Sequence, residues 1–65
     1  MKSLKRYQLI KEYESSPKLG TIVEECYSVI GQFVNQQSPK RECFFAPFNP
    51  EYWLRLEDRE VQIYH

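Results

Sequence analysis

Apolar and polar residues alternate imperfectly over the first thirteen positions: Tyr7, Leu9, Lys11 and Tyr13 interleave with Gln8, Ile10 and Glu12. A period of two puts successive side chains on opposite faces of an extended chain, so residues 4–13 predict a strand with one mostly buried face. Leu4, Tyr7 and Ile10 also fall at threes, but the tyrosines and the turn that follows favour the strand. That turn is Ser15-Ser16-Pro17-Lys18-Leu19-Gly20. Pro17 fixes its own φ and biases Ser16 towards extended geometry, while Gly20 admits a positive φ. The phrase predicts a connection between two strands.

Residues 21–35 support two readings. Thr21-Ile22-Val23-Glu24 has the form of a capping box, and Ile22, Val23, Cys26, Tyr27, Ile30, Phe33 and Val34 share one helical face. Against a helix, many of these residues are β-branched, and Gly31 would sit in its interior at a cost of about 1 kcal/mol. Val23, Glu25, Tyr27 and Val29 also alternate. Propensity favours strand, break near Gly31, strand; a helix near 21–35 stays open as an α+β alternative. Beyond it, 35–40 is a polar loop with a proline, and 41–45 a short apolar strand centred on Cys43 and Phe44. Asn49 with Pro50 behind it predicts the start of a short helix that turns Tyr52, Trp53 and Leu56 to the core. Glu60-Val61-Gln62-Ile63-Tyr64 predicts a closing strand. The expected fold is mainly β with a short helix: a small curled sheet or a Src-homology-3-type barrel.

Length limits this to one domain, 1–65. A chain of this size buries only about 60% of the surface it exposes when unfolded. Ten aromatic residues make a compact core feasible even so. The formal net charge is 0, which gives no global argument for nucleic acid or acidic membranes. The charges are unevenly placed, however. Lys2, Lys5, Arg6 and Lys11 make the first segment basic, and Glu51, Glu57, Asp58 and Glu60 tilt the last one acidic. No apolar run approaches membrane-spanning length and no secretory signal follows Met1, so a cytoplasmic setting is expected, that of the host cell or, alternatively, a virion. In a cytoplasm Cys26 and Cys43 are expected as reduced, buried thiols; on a virion or outside a cell a disulfide between them stays open.

Catalytic chemistry finds little to work with. The single histidine is His65, at the last position, and neither cysteine has a histidine partner at an internal position. Two isolated cysteines do not make a zinc set, and two glycines do not make a phosphate loop. No enzyme, metal or cofactor is expected. Binding is better supported: Phe44, Phe45, Phe48, Tyr52 and Trp53 crowd into ten residues beside Lys40 and Arg41. A domain this small cannot hide all of those rings, and exposed aromatics favour protein interfaces. These seven residues are the candidate partner-binding set.

The segment Lys5-Arg6-Tyr7-Gln8-Leu9-Ile10-Lys11-Glu12-Tyr13, followed by Ser16-Pro17-Lys18-Leu19-Gly20-Thr21, resembles the opening of a small module of tailed-phage and prophage proteins. In that module a line Tyr-x-Leu-Ile-Lys-Glu-Tyr-Pro-x-Ser-Pro-x-Leu-Gly-Thr leads into short strands, a Pro-Glu-Phe/Tyr-Trp turn and an acidic-apolar strand. Asn49-Pro50-Glu51-Tyr52-Trp53 and Glu60-Val61-Gln62-Ile63-Tyr64 match its ending. Residues 24–48 show no match, and Glu14 stands where the module has proline. The resemblance implies a small β-rich domain and carries over no reaction, ligand or site residue. The functional expectation is a non-enzymatic, phage-type protein-interaction module, either an inhibitor of a host protein or a virion accessory component. The alternative is a small nucleic-acid binder that uses the basic N-terminal segment with Lys40 and Arg41.

Overall fold

The computed structural model describes residues 2–35 and 37–62. They form five strands: β1 (Lys2–Leu9), β2 (Ile22–Glu25), β3 (Gln32–Val34), β4 (Cys43–Phe45) and β5 (Trp53–Val61). All pair antiparallel in one sheet of order β4-β3-β2-β1-β5. The mainly-β expectation holds. The barrel does not form, because β4 and β5 are the two edges of an open sheet.

Residues 21–35 form strand, turn at Gly31 and strand, as propensity favours, and neither the alternative helix there nor the short helix expected after Asn49 forms, each for a local reason. At 21–35, Thr21 does not cap Glu24. Its N–H and Oγ1 both donate to the Lys18 carbonyl, at 3.0 and 2.5 Å. The Leu9 N–H then donates to the Thr21 carbonyl at 2.9 Å and the Gly20 N–H to the Leu9 carbonyl at 3.0 Å. These bonds close the β1–β2 hairpin, with Gly20 at φ +90° where a side chain would be strained. Gly31, at φ +85°, ends the β2–β3 hairpin in the same way. The apparent helical face was the sum of two short strands, each with apolar residues on both sides.

At 49–53, Asn49 does cap a turn. Its Oδ1 accepts the Glu51 N–H at 2.9 Å, and its carbonyl accepts the N–H groups of Tyr52 and Trp53 at 3.0 and 2.9 Å. The turn does not propagate, because the Ile10 N–H captures the Tyr52 carbonyl at 2.7 Å and Trp53 pairs with Leu9. An isolated helical turn is a costly nucleus, and the ladder offers one bond after another instead. The closing strand therefore begins at Trp53 rather than Glu60; of the predicted 60–64, Ile63 and Tyr64 lie outside the described residues.

A β-bulge explains why that start was hidden. Leu4 faces Arg59 and Arg6 faces Leu56, so two residues of β5, Glu57 and Asp58, answer one residue of β1, Lys5. The Arg6 guanidinium donates from Nε to the Glu57 carbonyl at 3.1 Å. The extra residue resets the alternation: Leu54 and Leu56 share a face before the bulge, Arg59 and Val61 after it.

Pairing partners define the two faces. One face carries Tyr7, Leu9, Val23, Phe33, Phe44 and Trp53. Leu9, Val23, Phe33 and Trp53 form its buried core, with Tyr7, Tyr13, Phe44, Phe48 and Tyr52 packed against it. Each such large apolar side chain, fully buried, contributes about 1.5–3 kcal/mol. The opposite face carries Leu4, Arg6, Ile22, Glu24, Val34 and Arg59. There Leu4 and Val34 are buried beside the Glu24–Arg59 ion pair, whose Nη2–Oε1 distance is 2.7 Å.

The cysteines depart from expectation in their burial. Both are free, but Cys26 is only half-buried and Cys43 is exposed. Cys26 donates its N–H to the Gln32 carbonyl, and Cys43 lies opposite Val34. Strand β3 thus separates them by two strand spacings, about 9–10 Å, beyond the reach of a disulfide.

Candidate aromatic cleft

The core-facing aromatics do not stop at the sheet. Phe48, on the loop between β4 and β5, stacks on Tyr7 at 4.5 Å between centroids and meets Phe33 and Trp53 edge-on at 4.7 and 5.1 Å. Edge-to-face packing sets the positive ring edge against a negative face, and each pair adds about 0.5–1.5 kcal/mol beyond burial. The Ala46–Pro47 peptide bond in this loop is cis. From the other end of the chain, Tyr13 leaves the β1–β2 connection and meets Tyr52 edge-on at 5.0 Å.

Between these two groups lies an open cleft of about 470 Å³. Phe44, Phe45, Phe48, Tyr52 and Trp53 line it from one stretch of the chain, together with Pro47 and Asn49, and Tyr13 and Glu14 line it from another. Glu14 is the only charged side chain among the described residues that line it. Lys11 stands outside this lining. Its Nζ is held by Glu51 Oε1 at 3.1 Å and lies 5.8 Å from the Tyr52 ring centroid. The Glu51 hydrogen bond raises the Lys11 pKa above its ordinary value.

The seven sequence-chosen residues divide. Phe44, Phe48, Tyr52 and Trp53 converge on the cleft, with Trp53 buried and the others half-buried. Phe45 also borders it, but pairing with Gln32 places it on the sheet face opposite Phe44, and it is 68% exposed. Lys40 and Arg41 do not join the cleft. Arg41, at φ +49°, instead borders a second depression with Cys26, Glu24 and Arg59.

Tyr13 and Glu14 escaped the sequence reading. Their place beside Tyr52 follows from the β1–β5 ladder across some forty residues, and no local pattern signals that.

The basic N-terminal residues are dispersed. Lys2 donates to the Tyr27 carbonyl at 2.7 Å, Arg6 to that of Glu57, and Lys11 to Glu51. Lys5 and Arg6 are adjacent in β1 and so point to opposite faces. The Cys26 thiol, hydrogen-bonded to Ser28 Oγ at 3.5 Å, has its pKa lowered by that bond. No group of three or more His, Cys, Asp or Glu that would hold a metal occurs among the described residues, and His65 lies outside them. No helix among the described residues is long and apolar enough to cross a membrane.

Comparison of the chain with protein-family models, curated proteins and solved structures finds no match.

Proposed function

We propose that this chain is a non-enzymatic protein-interaction module whose docking surface is the aromatic cleft. The observation that carries the reading is the convergence of six aromatic rings, from both ends of the chain, around one open, solvent-reached cavity. Open aromatic surfaces beside a rigid sheet supply large contact area at small conformational cost, which is why such residues dominate protein interfaces. The resemblance to a phage module favours a host protein or a virion component as partner. Nucleic-acid binding has less support, because the basic residues are spread over both faces and three of them are engaged with acceptors of the chain itself.

The test is affinity capture from the native host's lysate with wild type and a Tyr13→Ala, Phe45→Ala double variant. Both positions lie outside the buried core, so the variant is expected to keep the wild-type circular dichroism spectrum. A specific partner retained by wild type and lost by the folded variant supports the reading. Equal recovery of every partner by both overturns it.

A further inference from the structure

We infer that the cleft accepts an arginine side chain of its partner, with the guanidinium lying on the aromatic rings and paired to Glu14. The inference rests on the interaction reading above and specifies its chemistry. Charge is the first argument. The lining holds six aromatic rings and one carboxylate, Glu14, with no lysine or arginine among the described residues that line it. Ring faces are negative by their quadrupole, so a face presented to the cleft adds to the carboxylate's attraction for a cation.

Shape is the second argument. The cleft is open and flanked by flat rings, not an enclosed box. A planar guanidinium stacks on such a surface and presents its N–H fork to a carboxylate at the rim, whereas an ammonium offers neither the plane nor the fork. The chain's own Arg55 already behaves this way: its guanidinium carbon lies 5.6 Å from the Tyr7 ring centroid while its Nη2 donates to Asp58 Oδ1. Lys11 does not fill the cleft, since Glu51 holds it outside.

Trp53 is the sole tryptophan and lines the cleft, so its emission reports occupancy directly. The probe is a capped glycine-serine peptide with one central arginine, compared with the same peptide carrying lysine or citrulline, the uncharged isostere of arginine. The arginine peptide is expected to shift Trp53 emission saturably. Citrulline is expected to bind about fivefold more weakly, in the range of an exposed ion pair, with lysine in between. Glu14→Gln, a change at an exposed residue, is expected to weaken arginine binding and erase most of its margin over citrulline.

Equal binding of arginine and citrulline, or a margin undiminished by Glu14→Gln, overturns the inference. So does the absence of any emission change at millimolar arginine peptide. If that happens while the Tyr13→Ala, Phe45→Ala variant still loses its partner in capture, the interaction module stands and only the arginine assignment falls. If capture is also unaffected, both fall.

Discussion

The two faces of the sheet are made by the same strands, one residue out of step, yet they are held by different physics. On one face Phe33 and Val23 are almost wholly removed from water beneath a lid of loop aromatics. On the other, Leu4 and Val34 are buried beside long polar side chains, chiefly Glu24 and Arg59. The stems of such side chains cover apolar surface while their charged ends stay in water. The lesson is that five short strands can afford only one true core. The lid of that core comes from loops, and where the loops leave it open, the same aromatics line a cleft.

The largest expected effect is on the lidded face. Phe33→Ala removes the ring that Tyr7 and Phe48 both pack against. Its cost, about 3–5 kcal/mol, is comparable with the whole stability of a chain this size, on the order of 3–10 kcal/mol. Urea titration should find the variant largely unfolded or close to it. Leu4→Ala on the other face should cost about 2 kcal/mol, the low end for a buried leucine, because flexible polar neighbours can settle into the gap. Equal losses in the two variants would mean that the faces are not different in kind.

Deletion of Asp58 sharpens the comparison along the edge. It removes the residue that makes the bulge yet leaves Leu4 opposite Arg59 and Arg6 opposite Leu56. The fold should persist, but β5 loses the kink that keeps a nine-residue edge strand from templating another chain. Concentration-dependent dimers in size-exclusion chromatography are the expected outcome, and a strictly monomeric deletion variant would show that the charged side chains alone protect the edge.

The smallest effect is chemical. The Ser28 hydrogen bond favours the Cys26 thiolate, so the alkylation rate of Cys26 should rise with pH through a midpoint below that of a free thiol. Ser28→Ala should move that midpoint upward. Mild oxidation should leave no intramolecular Cys26–Cys43 bond by mass spectrometry, since β3 stands between them.

How much of this was legible along the chain depends on how local each signal is. Alternation around Tyr7 and Leu9 marked β1, and Pro17 and Gly20 marked the first turn, because strand faces and turn dihedrals are properties of a few consecutive residues. Asn49 marked a real cap. What followed it did not become a helix, because the competing partner was the Ile10 N–H, far away in sequence. The strand from Trp53 to Leu56 was misread as helical since the bulge at Glu57 and Asp58 breaks the period of two. The candidate aromatics were found as a cluster, but the division of Phe44 from Phe45 depends on register with Gln32 and Phe33.

The sequence by itself thus determined a small, β-rich, aromatic-heavy chain with its turns in place, because propensity and period are written residue by residue. Only the tertiary structure decided that the sheet stays open, that Lys40 and Arg41 leave the aromatics, and that Tyr13 and Glu14 join them. Those outcomes follow from which strands become neighbours, and a ladder between β1 and β5 rests on hydrogen bonds between segments that share no local pattern.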